Sequence, residues 1–129
     1  MAANEKREYW LLEKEFLFEA AHMLPKHDGK CARLHGHSWK GRVVIKCDSL
    51  CGEGPKQGMV IDYSDISAKL KPMNESYLDH HYLNETLGLV APTSEEVARW
   101  VYNHLEPQLP GLYQVIIEET CTSRCTYGR

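Results

Sequence analysis

Apolar and polar residues alternate along two long stretches in the first half of the chain. In residues 9–22 one parity carries aromatic and aliphatic side chains, broken only by Lys14; these are Trp10, Leu12, Phe16, Phe18 and Ala20. In residues 37–47 the matching positions are Trp39, Val43 and Ile45. Alternation with a period of two is typical of β-strands that bury one face. Residues 23–34, with a proline and a glycine among polar residues, are predicted to form the loop between the two strands.

A helical period replaces the alternation in the middle of the chain. Ser64 is predicted to cap a short helix whose apolar side carries Ile66, Leu70 and Met73. Thr93, with Glu96 three residues later, fits a capping box that opens a second helix. The predicted buried stripe of that helix is Val97, Trp100, Val101, His104 and Leu105. The prolines that follow are expected to end it.

The chain returns to strand patterns near its end. Residues 112–120 are predicted to form a third long strand, and a short fourth strand is predicted near 124–128. Between the first two strands and the first helix, residues 50–58 form a turn rich in glycine and proline. The order is therefore ββααββ. It favours an α+β fold in which two helices, placed between strands 2 and 3, pack on one face of an antiparallel sheet.

Length and composition limit the class of protein. With 129 residues, of which 43% are hydrophobic, we expect a single folded domain over residues 1–129. A net charge of -3 gives no general attraction to nucleic acid or to anionic lipid. No apolar stretch is long enough to span a membrane, and the N-terminus lacks the apolar segment of a signal peptide. We therefore expect a cytoplasmic protein with no nucleic-acid or membrane partner.

The five cysteines suggest reduced thiols rather than disulfides, because their number is odd and no export signal is evident. Four of them form two C-x-x-x-C pairs, Cys47 with Cys51 and Cys121 with Cys125. Four thiolates could form a structural zinc site. The alternative is that these are small buried side chains without a metal.

Three histidines share the apolar parity of the two first strands. His22 continues the buried face of the first strand, and His35 and His37 continue that of the second. If these strands are neighbours, all three imidazoles meet near one end of the core. Clustered imidazoles at the rim of a core need partners, and zinc bound by three protein ligands keeps a fourth position open for catalysis. The alternative is three separately hydrogen-bonded histidines.

Three further positions are candidates for chemistry. Cys31 precedes the histidine pair in the loop, where a nearby dication would favour its thiolate. Asp79 lies beside His80 and could orient its ring, although a solvated polar turn gives the same pattern. Glu119 shares the apolar parity of the third strand, so its carboxylate needs a partner. That partner is either a planar ligand edge with two N–H donors or a salt bridge.

Six stretches, in this order, resemble the 6-pyruvoyltetrahydropterin synthase/6-carboxytetrahydropterin synthase family. They are FEAAH (18–22), CARLHGHS (31–38), GMVIDY (58–63), LDHHYLN (78–84), PTSEEVARW (92–100) and ETCTSRC (119–125). Together they span nearly the whole chain. The cysteine placed four residues before HGH, the LDHHYLN motif and the ETCTSRC ending are most similar to the bacterial 6-carboxytetrahydropterin synthases of queuosine biosynthesis. The stretch CDSLCGEGPKQG (47–58) is longer and richer in cysteine than the family pattern.

The resemblance implies a role for each matching residue. The zinc ligands would be His22, His35 and His37. The catalytic residues would be Cys31, Asp79 and His80, with His81 as a bystander. The residues that contact the pterin would be Glu119 as its anchor, with Thr93 and Glu95 at the start of a helix. Lys26, Lys30 and Arg33 are candidates for the triphosphate, or else ordinary solvated charges.

The resemblance also implies a fold, an assembly and a reaction. The fold would be the tunnelling fold, whose sheets join edge to edge between subunits; two trimers would stack into a homohexamer. The reaction would convert 7,8-dihydroneopterin triphosphate to 6-carboxy-5,6,7,8-tetrahydropterin, with release of acetaldehyde and triphosphate. The alternatives are the 6-pyruvoyl reaction on the same substrate, and a zinc- or pterin-binding module without catalysis.

Overall fold

A five-stranded sheet with helices on one face forms the body of the protein. The computed structural model describes residues 6–129; the first five residues, part of the N-terminus expected to lack a signal peptide, lie outside the described residues. The strands are β1 (Trp10–His22), β2 (His35–Cys47), β3 (His81–Tyr82), β4 (Leu112–Thr120) and β5 (Ser123–Gly128). The helices are α1 (Tyr63–Met73), α2 (Leu83–Thr86) and α3 (Ser94–Leu105). The α+β class predicted from the sequence is confirmed.

The sheet has the order β3-β1-β2-β4-β5. All neighbouring strands are antiparallel except β3, which pairs with β1 in parallel through two residues. The predicted order ββααββ lacked β3 and α2. A two-residue strand and a one-turn helix are too short to show a periodic pattern, so the polar segment around them suggested only a turn. No helix within residues 6–129 is both long and apolar enough to cross a bilayer.

The long hairpin of β1 and β2 forms the centre of the sheet, with β3 beside β1 and β4 beside β2. Its register runs from Trp10 opposite Cys47 to His22 opposite His35. The second strand therefore begins at His35, two residues earlier than predicted, because the backbone of the HGH stretch pairs with the end of β1. The loop between the strands is closed by a hydrogen bond from the Leu24 N–H to the Cys31 carbonyl, 2.8 Å long.

The core lies between the helices and one face of the hairpin. The predicted parity is confirmed: Phe16, Phe18 and Ala20 are buried on β1, as are Trp39, Val43 and Ile45 on β2. On α1 the predicted apolar side is also buried, with Ile66, Leu70 and Met73 all at most 4% exposed. Burial of one such side chain contributes about 1.5–3 kcal/mol, so this shared face supplies most of the driving force for folding.

The two main helices begin at different kinds of cap. The N-cap of α1 is Asp62, whose carboxylate accepts the Ser64 N–H at 2.9 Å, so the prediction of Ser64 as the cap was wrong. Lys56 holds the same carboxylate from the preceding loop, which explains why the chain enters the helix two residues earlier. The cap of α3 is Thr93, as predicted, and its hydroxyl accepts the Glu96 N–H.

The buried stripe of α3 differs in part from the predicted one. Three of its predicted members are fully buried: Val97, Val101 and Leu105. The aromatic side chains of Trp100 and His104 are only half-buried and stack on each other at 4.9 Å between ring centroids. Ala98 and Tyr102 fill the core in their place.

Candidate metal centre

Three imidazoles meet at the loop end of the β1–β2 hairpin. His22 and His35 lie directly opposite each other, and His37 is opposite Ala20. The ring centroids are 4.5 Å apart for His22 and His35, 5.1 Å for His22 and His37, and 4.8 Å for His35 and His37. The convergence that strand parity predicted is therefore confirmed. Its cause is local, since residues two apart on paired strands project from the same face.

Backbone carbonyls determine which ring nitrogen faces the centre. Nδ1 of His22 donates to the Pro92 carbonyl at 2.8 Å, and Nδ1 of His35 donates to the Arg33 carbonyl at 2.6 Å. A carbonyl can only accept, so Nδ1 carries the hydrogen and a neutral ring presents the lone pair of Nε2. The Nε2 atoms of all three histidines are buried without a hydrogen-bond partner among residues 6–129. Three such atoms fit a metal ion with nitrogen preference, as zinc has.

A carboxylate completes the group. Glu119 places Oε1 3.0 Å from Nε2 of His22 and 3.3 Å from Nε2 of His37. The four ligand atoms of His22, His35, His37 and Glu119 all lie within 4.8 Å of one another. A lone pair on nitrogen and a carboxylate oxygen at 3.0 Å repel each other unless a proton or a cation lies between them. The arrangement therefore requires positive charge at its centre.

The protonation of the metal-free group follows from the same contacts. Burial works against a charged His22, but the Glu119 carboxylate near Nε2 and the hydrogen bond to the Pro92 carbonyl raise the pKa of His22 above its ordinary value. The neighbouring His22 ring lowers the pKa of Glu119. Burial lowers the pKa of His37, so that ring stays neutral. Without a metal, a proton on Nε2 of His22 would supply the positive charge that its contact with Glu119 requires.

The contact of Glu119 with the histidines was missed from the sequence, although its inner-face position was predicted. The pairing of β4 with β2 puts Lys40 opposite Glu118, and the pairing of β4 with β5 has an irregularity between Glu118 and Thr120. A β-bulge re-aims the side chain of its extra residue. Alignment of the apolar positions of the two strands could have placed Glu119 beside Trp39, and so next to His37.

Glu119 also lines a pocket of about 420 Å³. Glu95 from the first turn of α3 lines it together with Glu119, and the hairpin between β4 and β5 supplies Thr120, Ser123, Arg124 and Cys125. The structure thus brings Glu95 and Glu119 together. Thr93 stands one residue before α3 with its hydroxyl engaged as the cap.

Asp79 and His80 form the predicted pair. Oδ2 of Asp79 lies 3.0 Å from Nδ1 of His80, and Oδ1 accepts the Glu19 N–H at 2.8 Å. The Glu19 hydrogen bond, with His80 in support, lowers the pKa of Asp79, so the carboxylate stays charged. His80 has a φ of 62° and an exposed ring. Nε2 of His81 instead forms a hydrogen bond with the Glu75 carbonyl, so this ring is not part of the Asp79–His80 pair.

An open cleft of about 540 Å³ lies beside the exposed ring of His80. Its lining includes Glu19, Gly36 and Ser38, which lie on the face of the β1–β2 hairpin opposite to the three imidazoles. His80 therefore stands near the end of the hairpin that carries the histidines but is not part of the converging group.

The loop before β2 holds the remaining predicted residues. Cys31 is half-buried in a single helical turn, Lys30–Ala32. Its thiol is not part of the group formed by the histidines and Glu119. Lys26, Lys30 and Arg33 are exposed on the same loop.

The other four cysteines do not form a metal site within the described chain. All five cysteines are free, as expected. Cys51 donates to the Glu53 carbonyl at 3.1 Å, and Cys47 lies 3.8 Å from the Ser49 hydroxyl. Within residues 6–129 the histidine and Glu119 group is the one cluster of three or more such side chains with ligand atoms this close. The four-cysteine zinc site considered from the sequence is therefore not supported.

Comparison with known proteins places these features in a wider group. The model of the family described as 6-pyruvoyl tetrahydropterin synthase matches residues 11–129. The chain is 52% identical over 119 residues to a 6-carboxy-5,6,7,8-tetrahydropterin synthase of Synechocystis sp., covering 92% of each chain. It is 36% identical to a protein of the same name from Haemophilus influenzae, over 90% of this chain and 96% of that one.

A solved structure shows the same architecture. The 6-pyruvoyl tetrahydropterin synthase of Caenorhabditis elegans superposes with a TM-score of 0.80 at 27% sequence identity. The match covers 95% of this chain and 97% of that one.

Proposed function

The chain belongs to the 6-pyruvoyl tetrahydropterin synthase family, and we propose that it acts as a 6-carboxy-5,6,7,8-tetrahydropterin synthase. The proposed substrates are 7,8-dihydroneopterin triphosphate and one water molecule, and the products are 6-carboxy-5,6,7,8-tetrahydropterin, acetaldehyde and triphosphate. The observation that carries this proposal is the set of three buried, unpartnered Nε2 atoms beside a pocket that ends in a carboxylate.

His22, His35 and His37 would hold a zinc ion, because neutral imidazole nitrogen is a preferred zinc ligand. The carbonyls of Pro92 and Arg33 fix the rings of His22 and His35 in the tautomer that such binding needs. When bound, the ion supplies a Lewis acid that acidifies the hydroxyls of the substrate side chain and stabilises negative charge on their oxygens.

Proton transfer would fall to Cys31 and His80. We propose that the Cys31 thiolate removes a proton from the substrate side chain and that His80 returns one. The charged carboxylate of Asp79 lies 3.0 Å from Nδ1 of His80, so it orients the ring.

The pocket beside Glu119 would hold the pterin ring. A carboxylate can accept two parallel N–H bonds from the aminopyrimidine edge, which fixes the ring relative to the proton-transfer groups. Glu95 and Thr93, at the start of α3, would contact the same ring. For the triphosphate we propose the exposed cations of the β1–β2 loop, Lys26, Lys30 and Arg33.

The proposed setting is a cytoplasmic homohexamer that works in queuosine biosynthesis. The open sheet supports assembly, since β5 and the very short β3 lie at its edges. Edges of this kind are commonly covered by another chain. In a dimer of trimers, neighbouring subunits would close the sheets into a barrel.

Product analysis tests the function. The zinc-loaded protein is incubated with 7,8-dihydroneopterin triphosphate, and acetaldehyde and the pterin product are measured. The proposal expects acetaldehyde and 6-carboxytetrahydropterin in equal amounts. A 6-pyruvoyl product without acetaldehyde would instead show the activity for which the Caenorhabditis elegans neighbour is named.

Two variants separate catalysis from binding. The Cys31→Ala protein should keep its zinc but lose turnover by about 100-fold or more, within the range typical of general acid–base groups. The His22→Ala protein should lose zinc and turnover together. A wild-type protein that binds zinc and a pterin but gives no product would be a binding module.

A further inference from the structure

We propose that Glu119 is an exchangeable ligand: it completes the metal centre in the substrate-free protein and leaves the metal when a pterin ring enters the neighbouring pocket. This inference rests on the proposed function for the identity of the ring. Glu119 would bind the metal first and the pterin ring second, so we expect the metal and the pterin to compete for this carboxylate.

The first part follows from the geometry at the histidines. Oε1 of Glu119 lies 3.0 Å from Nε2 of His22 and 3.3 Å from Nε2 of His37. In the neutral His22 ring the Nδ1 hydrogen bond leaves Nε2 without a hydrogen, so its lone pair and Oε1 of Glu119 repel each other unless a proton or a cation lies between them. A divalent cation between them removes this conflict. Carboxylate oxygen is an ordinary fourth ligand for zinc beside three imidazoles.

The second part follows from the position of the same side chain at the pocket. Glu119 is the one residue that belongs both to the metal-ligating group and to the lining of the 420 Å³ pocket. Its side chain is 29% exposed, whereas His22 behind it is 1% exposed. A pterin edge with two N–H donors needs both carboxylate oxygens. Oε1 lies against the two Nε2 atoms, so Glu119 would turn it away from the histidines to align both oxygens along such an edge.

The backbone around Glu119 is anchored from the opposite face of the sheet. Nη1 of Arg42 donates a hydrogen bond to Oε1 of Glu118 at 3.0 Å, and Nε of Arg124 lies 3.3 Å from the same oxygen. These contacts hold the bulge between Glu118 and Thr120. A change of partner at Glu119 therefore needs only rotation of its side chain.

The exchange has a functional consequence. With Glu119 bound, the metal would have four protein ligands, the number typical of a closed structural site. Departure of the carboxylate opens one position. The metal would thus become available to a substrate hydroxyl only after the ring has docked, which couples recognition of the pterin to activation of its side chain.

The first experiment measures zinc affinity without any pterin. The dissociation constant is obtained by competition with a chromophoric chelator for wild type, Glu119→Gln and Glu95→Gln. Glu95 lines the same pocket but is outside the metal-ligating group, so it controls for loss of local charge. Even outer-shell partners change metal affinity about 10- to 100-fold, so Glu119→Gln should weaken zinc binding by at least about tenfold and Glu95→Gln should not. Wild-type affinity in Glu119→Gln would overturn the proposal.

The second experiment uses wild-type protein and needs no variant. Unsubstituted pterin, which has no side-chain hydroxyls, is added to the cobalt-substituted protein, and the visible absorption of Co²⁺ is recorded. Departure of Glu119 should change the spectrum. Saturating pterin should also weaken zinc binding, and zinc should weaken pterin binding by the same factor, because coupling is reciprocal.

The outcomes distinguish the two proposals. If pterin and zinc bind together with no effect on each other, the exchange is wrong while the pterin function stands. If pterin does not bind even to the metal-free protein, the proposed function and the exchange both fail. The zinc affinity of Glu119→Gln then still decides whether Glu119 is a metal ligand.

Discussion

At the scale of single residues, two backbone carbonyls prepare the metal centre before any metal binds. Pro92, which precedes the cap of α3, and Arg33, in the loop before β2, each fix one imidazole. Without these acceptors the rings could present a protonated nitrogen to the centre. The centre therefore depends on the exact path of two loops as well as on its ligands.

Asp79→Asn tests whether the aspartate orients His80. The amide would place a donor against Nδ1 or reverse the tautomer, so kcat should fall by about 100-fold or more, while zinc content stays at the wild-type value. Steady-state kinetics and metal analysis measure both quantities. His81→Asn is the matched control, because the neighbouring ring only contacts the Glu75 carbonyl, and its kcat should stay near wild type. Full turnover in Asp79→Asn would remove the pair from the mechanism.

The left-handed backbone at His80 gives a second prediction. Its φ is 62°, a conformation that asparagine tolerates and β-branched residues do not. In chemical denaturation His80→Asn should unfold within about 0.5 kcal/mol of wild type, whereas His80→Val should lose about 1–2 kcal/mol. Both variants should lose turnover, since neither side chain can return a proton. Equal stability of the two would show that this backbone conformation is not strained.

At the scale of elements, the β1–β2 hairpin carries the site because its alternation continues without a break from core to rim. The buried face passes from Phe16, Phe18 and Ala20 directly to His22. The same regular pairing that buries the aromatic residues therefore aims the imidazoles. A slip of one residue in register would turn every one of these side chains to the opposite face.

Gly41 tests this register. It lies opposite Phe16, and a Cβ added there would stand only 2.5 Å from Cε1 of that ring. Gly41→Ala should therefore destabilise the protein by about 1–3 kcal/mol, the range for overpacked cores, as measured by chemical denaturation. Gly52→Ala, where an added Cβ has no neighbour within 4 Å, is the control and should change little. Combining Gly41→Ala with Phe16→Leu should restore part of the loss; a purely additive result would mean that the ring is not the obstacle.

The elements also show what the sequence could and could not predict. Period-two alternation is a local property, so it predicted the long strands and the meeting of His22, His35 and His37. The contact of Glu119 with His22 and His37 depends on the pairing of β4 with β2 and on the irregularity in its pairing with β5. Neither feature can be predicted from the residues near Glu119 in the sequence. The strand β3 pairs with residues of β1 some 60 positions earlier in the chain, next to hydrogen bonds that join Asp79 and His80 to the backbone of Glu19.

The choice of cap for α1 illustrates the same limit on a smaller scale. Asp62 and Ser64 are both favourable cap residues, and the sequence alone did not separate them. The structure selects Asp62 because Lys56, in the loop that precedes it, holds the carboxylate in place. For α3, Ser94 stands beside Thr93 as a second favourable cap residue, but only Thr93 has a glutamate three residues later, and Thr93 was predicted correctly.

At the scale of the whole molecule, protons and the proposed zinc ion would compete for one group. In the metal-free protein the pKa of His22 is raised, so its protonated form stabilises the fold. That contribution is present below the unfolded pKa of about 6.5 and is lost as pH rises through the folded pKa. Glu119, with a lowered pKa, contributes above about pH 4.3 and loses its contribution as pH falls through the folded pKa. Zinc needs both groups deprotonated.

The shift in Tm that zinc produces should therefore grow between about pH 6 and pH 8, since proton competition weakens over that range while metal binding stabilises the folded state. Thermal unfolding with a fixed excess of zinc, and with a chelator as reference, measures it at each pH. His22→Ala should show little shift at any pH. A shift that shrinks with rising pH would contradict a histidine centre.

The central claim is that one zinc ion is held by His22, His35 and His37 at the end of the hairpin. X-ray absorption at the zinc edge, on wild-type protein loaded with one equivalent of zinc, tests it most directly. We predict a first shell of nitrogen and oxygen at about 2.0–2.1 Å with the outer-shell scattering of three imidazoles. A sulfur shell at about 2.3 Å, or scattering from fewer than three imidazoles, would contradict the account.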